Sequence, residues 1–201
     1  FILPGQETPC PKSCTEVRLI SLGHRRIAFI AGPVNYWSAR QREQGYLRAL
    51  KEAGINPTAH WMRRGDYSTL SGRQAMELLL QVRPAFSAVV CCNDWMALGA
   101  LEALRRKDVL VPEDISIIGF DDVEPASVVS PPLTTIRQPV REIGMTAARL
   151  LIQQVESGKI SAERVIFPGE LVCRDSVLPY SSEPADRAKS QRRPLRRRRR
   201  C

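Results

Sequence analysis

Apolar and polar positions along this chain fall into short blocks that alternate between two rhythms. Ile27-Ala28-Phe29-Ile30-Ala31 is an unbroken apolar run stopped by Gly32-Pro33, the pattern of a strand buried on both faces. A helical rhythm follows through Ala53, with Ala39, Tyr46, Leu47 and Leu50 on its apolar face, Ser38 as the expected cap and Gly54 as the stop. A weaker strand is predicted over residues 58–62. Next comes a helix over 71–82, where Ala75, Leu78, Leu79 and Val82 recur at spacings of three and four. The cycle then repeats. Residues 88–92 (AVVCC) predict a strand, 94–106 a helix with Ala97, Ala100, Leu101 and Leu104 in register, and 115–120 another strand ended by Asp121-Asp122. Beyond it the alternation breaks at Pro131-Pro132 and a β-branched run, Thr134-Thr135-Ile136, which predicts a crossover. A helix over 140–155 and two short strands near 165–167 and 170–173 close the patterned part. Strands alternating with helices of this length predict an α/β fold, a parallel sheet flanked by helices.

The two ends read differently. Residues 1–16 (FILPGQETPCPKSCTE) show neither rhythm, and from Leu178 the chain turns to Pro, Ser and Arg before ending RRPLRRRRRC. Like charges at that density cannot fold alone, so 178–201 is expected to be a disordered basic tail. That tail distorts the net charge of +9: its last 19 residues hold nine Lys or Arg against two acidic groups, while the other 182 hold 21 against 19. The body is nearly neutral, so charge alone does not mark it as a nucleic-acid binder. With 201 residues and 43% hydrophobic content it can bury a substantial core. No apolar run reaches membrane-spanning length, no secretory signal opens the chain, and a first residue of Phe suggests a fragment. Of six cysteines, Cys91 and Cys92 lie inside an apolar run and Cys10 and Cys14 have no matching Cys/His pair, so neither zinc nor a disulfide framework is expected. A reducing, cytoplasmic setting fits best.

Ligands of open parallel sheets bind outside the carboxyl ends of the strands. Asn35, Tyr36 and Arg40 follow the first strand, Asp66 and Tyr67 the second, Asn93, Asp94 and Trp95 the third, Asp121 and Asp122 the fourth, and Gln138 the crossover run. Amides, carboxylates, a guanidinium and aromatic rings converging on one rim suit a polyhydroxylated ligand, because each hydroxyl both donates and accepts and a pyranose face is flat and apolar. Asp94 reads as the cap of the following helix, Asp122 and His24 as structural, and Tyr67 and Trp95 could be rim packing. No nucleophile stands beside a base and no glycine-rich phosphate loop is present, so neither catalysis nor a cofactor is expected.

The pieces SLGHRRIAFIAGP, SARQREQGY, GDYSTLSGRQ, CCNDWMALGALEAL, DISIIGFDD and PPLTTIRQP are similar, in order and spacing, to the lactose-repressor type of bacterial transcription regulators. The resemblance covers residues 17–174. It implies an effector-binding core over 17–177 with the fold of a periplasmic sugar-binding protein, mostly its second lobe, the first lobe being largely missing. The helix over 140–155 would belong to that first lobe, leaving its apolar face without a partner. By the same resemblance Arg40 would clamp sugar hydroxyls, Asn93 and Asp121 would hydrogen-bond others, Tyr67 would supply the flat wall where the family's namesake has Trp, and Gln138 would couple the ligand to lobe closure. A sugar or galactoside effector, a homodimer, and operator DNA read through a helix-turn-helix domain absent from this chain are the implied partners, with no membrane.

The leading expectation is therefore the effector-binding and dimerisation core of a sugar-responsive repressor, not an enzyme. A stand-alone or exported sugar-binding protein of the same fold is the alternative. A hydrolase or metal-dependent sugar enzyme using Asp121 and Asp122 is a third reading, weakened because neighbouring residues tend to point apart.

Overall fold

Five consecutive apolar residues need water excluded from both faces. Ile27–Ala31 (β1) finds that shelter inside a four-stranded parallel sheet. In the computed structural model, which describes residues 15–83, 85–158 and 165–181, β1 lies between Met62–Arg64 (β2) and Ala88–Cys91 (β3), and Ser116–Ile118 (β4) pairs with the far side of β3. Phe29 sits opposite Met62 on one side and Val90 on the other, and Val89 opposite Ile117. Every residue of β1, β3 and β4 is buried. Edge strand β2 instead carries Arg63 and Arg64, charges of the kind that discourage a further strand from pairing there.

The sheet order β2-β1-β3-β4 requires the chain to step one way from β1 to β2 and then back across to β3. Right-handed crossovers place the helix of the first step, Trp37–Glu52 (α2), on one face. Those of the later steps, Thr69–Leu79 (α3) and Asp94–Arg106 (α4), lie on the other. On the α2 face Tyr46 stacks on Phe29 with ring centroids 4.6 Å apart, and its buried hydroxyl donates to the Ile27 carbonyl at 2.9 Å. On the opposite face α3 and α4 touch backbone to backbone. A Cβ on Gly99 would collide with the Thr69 carbonyl, and one on Gly72 with the main chain of Met96.

Several boundaries differ from the sequence expectation. Thr15–Ser21 (α1) precedes β1 where no periodicity was visible; seven residues are too few to reveal a helical face, although Leu19 is fully buried. Ser38 lies inside the first turn of α2, whose cap position is Tyr36. Residues 59–61 form a 3-10 turn, moving β2 to Met62–Arg64. Helix α3 starts earlier than expected because Ser68 caps it, accepting from the Ser71 N–H at 3.1 Å. The crossover contains a short helix, Glu124–Val128 (α5), and Thr135–Arg137 (β5), which pairs antiparallel with Glu170–Val172 (β6). Single parallel bridges, Ile118 with Thr134 and Asp121 with Arg137, attach this ribbon beside β4. Residues 165–167 form no strand.

Val140–Ser157 (α6) is amphipathic yet has no buried residue, leaving Val140, Met145, Leu151 and Val155 exposed. The expectations for residues 1–14 and for 182–201 of the basic tail lie outside the described residues. No helix among the described residues is long and apolar enough to cross a membrane. Because the α3–α4 contact leaves no room for a methyl group, Gly99→Ala is expected to lower unfolding stability by about 1–3 kcal/mol in urea titrations of the full-length protein, and unchanged stability would refute the close-contact account.

Candidate functional site

Where the strand order reverses, between the carboxyl ends of β1 and β3, helices leave on opposite faces, the position at which open parallel sheets form a ligand crevice. Arg42 of α2 reaches across it. Its Nη1 donates to the Cys92 carbonyl at 2.6 Å, its guanidinium carbon sits 3.7 Å from the centroid of the Phe120 ring, and its Nη2 is 3.6 Å from Asp121 Oδ1. Gln138 donates from Nε2 to the same Asp121 oxygen at 2.6 Å. One guanidinium thus joins the ends of β3 and β4, and one amide brings in the crossover.

Arg40, the residue expected to clamp the ligand, points elsewhere. It is exposed and donates to the Val34 carbonyl at 2.8 Å. Two residues along an α-helix are about 200° apart around its axis, so Arg40 and Arg42 cannot share a face. A sequence signal for Arg42 existed: it lies three residues after buried Ala39 and four before buried Tyr46, a charge on an apolar face.

Asn93 and Tyr67 are brought together, with roles more structural than expected. Asn93, rather than Asp94, caps α4, its Oδ1 accepting from the Met96 N–H at 2.9 Å while its Nδ2 donates to the Tyr67 carbonyl at 3.1 Å. That leaves the buried Asn93 amide one N–H and one lone pair for anything else. Tyr67 adopts φ 75°, its ring lies against Gly32, and its hydroxyl is 3.4 Å from Ser38 Oγ. Cys92 lies beside the Tyr67 hydroxyl and Arg42, with burial pushing its thiol up. Asp66 turns into the α3 cap: hydrogen bonds with Ser68 and Ser71 hold its carboxyl down to about 2.

Asp94, read in the sequence as a cap, is instead a fully buried tie. Its Oδ1 accepts from Thr135 Oγ1 at 2.7 Å and its Oδ2 from the Val123 N–H at 3.0 Å, joining α4 to the crossover strand and to the loop after Asp122. Asp121 and Asp122 diverge. Burial pushes Asp121 up from its ordinary value; Arg42 pulls it back and Asp94 pushes it further. Burial also opposes ionisation of Asp122, but hydrogen bonds from Arg174 (2.6 Å) and Arg137 (2.7 Å) reverse that and hold it low. With Asp122 committed to two arginines, the pair offers no shared metal seat, and no group of three His, Cys, Asp or Glu among the described residues could hold a metal ion. The assembled set can exchange hydrogen bonds with hydroxyls beside a flat aromatic wall.

Residues 17–177 match the periplasmic binding protein-like domain. The chain is 41% identical to the HTH-type transcriptional repressor CytR of Escherichia coli over 159 residues, 79% of this chain and 47% of that one. Among solved structures, a CelR transcriptional regulator complexed with cellobiose superposes with a TM-score of 0.78 at 38% identity, covering 82% of this chain and 50% of that one. A dimeric Lac repressor with a C-terminal deletion gives 0.77 at 37%, covering 83% and 60%. The chain spans about half the length of the curated relatives it matches.

The two aspartates should respond to pH with opposite sign. Asp121, raised in the folded state, contributes stability that is present below its unfolded value and lost as pH rises through the folded one. Asp122, lowered, contributes stability present above its unfolded value and lost as pH falls through the folded one. Relative to wild type, Asp121→Asn is therefore expected to gain stability as pH rises through the carboxylate range and Asp122→Asn to lose it, measured by urea unfolding from pH 3 to 7; slopes of equal sign would contradict the assignment.

Proposed function

Since this chain belongs to the periplasmic binding protein-like family through residues 17–177, we propose that it is the effector-binding and dimerisation core of a sugar-responsive transcriptional repressor of the lactose-repressor type. The observation that carries the reading is the convergence of Arg42, Asp121 and Gln138 on one crevice, with Tyr67 as its wall. Asp121 receives both described contacts on Oδ1, which leaves Oδ2 to accept a ligand hydroxyl, while Arg42 and Gln138 supply N–H donors. Asn93 contributes mainly by holding the Tyr67 backbone. Arg40 is replaced by Arg42 as the clamp.

In this reading a first lobe packs against the exposed apolar face of α6, and the effector lies between the lobes. An effector that contacts both lobes favours one hinge arrangement only by its difference in affinity for the two. Helix-turn-helix heads on the full-length protein would feel that difference as an altered operator affinity, a coupling of about 1–3 kcal/mol. A cytoplasmic location follows from that role. The exported sugar-binding alternative is disfavoured by the relatives' naming as repressors.

Dimerisation has its own support. Leu70 adjoins Thr69 and Trp95 adjoins Met96, the residues at the close α3–α4 crossing, and both side chains are exposed large apolar groups. Leu70→Lys is expected to shift the full-length protein from dimer to monomer in analytical ultracentrifugation, with an unchanged circular-dichroism spectrum; a persistent dimer would remove this face from the interface.

The decisive experiment concerns the crevice. Calorimetry of the full-length protein against a panel of mono- and disaccharides should find a ligand whose binding Arg42→Leu weakens by about 2–5 kcal/mol, with Arg40→Leu close to wild type. Equal losses in the two variants, or binding indifferent to Arg42, would sink the reading.

A further inference from the structure

Residue 36 is the cap position of α2, where a Ser, Asn or Asp oxygen would satisfy free N–H groups of the first turn. Here it is Tyr. Tyr36 has the extended backbone of a cap (φ −89°, ψ 124°), and no side chain caps the helix. Its ring meets Tyr67 edge to face instead, with centroids 5.7 Å apart and planes 79° apart, and the side chain remains 54% exposed. A second residue, Tyr67, is held in place from several directions. Its φ of 75° is one an aromatic residue rarely adopts, its carbonyl is bound by Asn93, its hydroxyl lies near Ser38, and its ring approaches so close that a Cβ on Gly32 would come within 2.6 Å.

The contacts run in order from Gln138 to Asp121, Arg42, Cys92, Tyr67 and Tyr36. Tyr36 therefore joins the set through Tyr67 and not through the carboxylate. A single sugar ring hydrogen-bonded by Asp121, Arg42 and Gln138 has its flat partner in Tyr67. It leaves the nearly perpendicular, half-exposed face of Tyr36 unused.

We propose that Tyr36 and Tyr67 form a two-walled aromatic corner that selects effectors with a second ring attached to the first, over single-ring sugars. The shared chemistry is a ring with a flat apolar face, supplied by a cyclic aglycone or by a second sugar. This inference rests on the sugar-binding reading above and adds the ligand's second ring to it. Flat rings gain from an aromatic partner beyond simple area burial, and Tyr loses little side-chain freedom in providing it.

The test is calorimetry of the full-length protein with methyl and phenyl β-glucosides, methyl and phenyl β-galactosides, cellobiose and lactose. At least one two-ring probe is expected to bind about 10-fold tighter than the methyl glycoside of the same sugar. Tyr36→Ala should collapse that ratio while leaving methyl-glycoside affinity within about 2-fold, and Tyr36→Phe should retain it. Tyr36→Ser separates the corner from helix capping, because it restores a cap oxygen yet should lose the ring preference. Preference for the phenyl glycoside identifies a cyclic aglycone, and preference for the disaccharide a second sugar. Equal affinity of wild type for one-ring and two-ring probes, or a ratio that survives Tyr36→Ala, overturns this inference alone. Failure of every probe to bind wild type overturns the sugar-binding reading, and this one with it.

Discussion

A carboxylate with no exposed surface organises the functional end of this domain. Burying Asp94 is unfavourable unless its oxygens are met by donors, and here they are met by the Thr135 hydroxyl and the Val123 N–H, with the Asp122 N–H also contributing. No described cation pairs with it, so burial pushes its carboxyl up from the ordinary value. Its own N–H donates to the Phe120 carbonyl at 2.8 Å. Three segments far apart in sequence, the start of α4, the loop after β4 and the crossover strand β5, are therefore fixed by one side chain. Each carries a residue of the crevice next door: Asn93, Asp121 and Gln138.

On that fixed platform, the opposite behaviour of two neighbouring aspartates has a geometric cause. Asp121 (φ 123°) and Asp122 (φ 58°) both have a positive φ, uncommon for residues other than glycine, and their carboxylates meet different partners. Asp122 turns toward Arg137 and Arg174, locking the β5–β6 ribbon against β4, and stays ionised. Asp121 turns toward Arg42 and Gln138 with less compensation for its burial. A carboxylate tied to two arginines and one shared by Arg42 and Gln138 thus sit on consecutive residues. The arginine cluster explains why the second aspartate adds nothing to a metal site.

Helix α6 shows the other side of the same economy. Its apolar stripe is as regular as those of α3 or α4, yet nothing covers it among the described residues, whereas those helices bury their stripes against the sheet and each other. It starts two residues after Gln138, the residue that touches Asp121, with Pro139 between them. The exposed apolar stripe of α6 therefore begins two residues from a side chain hydrogen-bonded to Asp121.

Periodicity determined much of this protein without coordinates. Unbroken apolar runs announced the buried strands, the spacing of Ala97, Ala100, Leu101 and Leu104 set α4 to the residue, and the position of polar groups after each strand located the crevice at the sheet's carboxyl edge. The motif resemblance then supplied the family. Tertiary structure alone decided which polar groups meet one another at that edge. A one-dimensional pattern records that Arg40 and Arg42, or Asn93 and Asp94, are polar. Whether each meets solvent, a backbone N–H or the crevice depends on helix phase and on strands brought together from distant parts of the chain. The same holds for α1, too short to show a face, and for Tyr36, whose partnership with Tyr67 exists only because β1 and β2 end side by side.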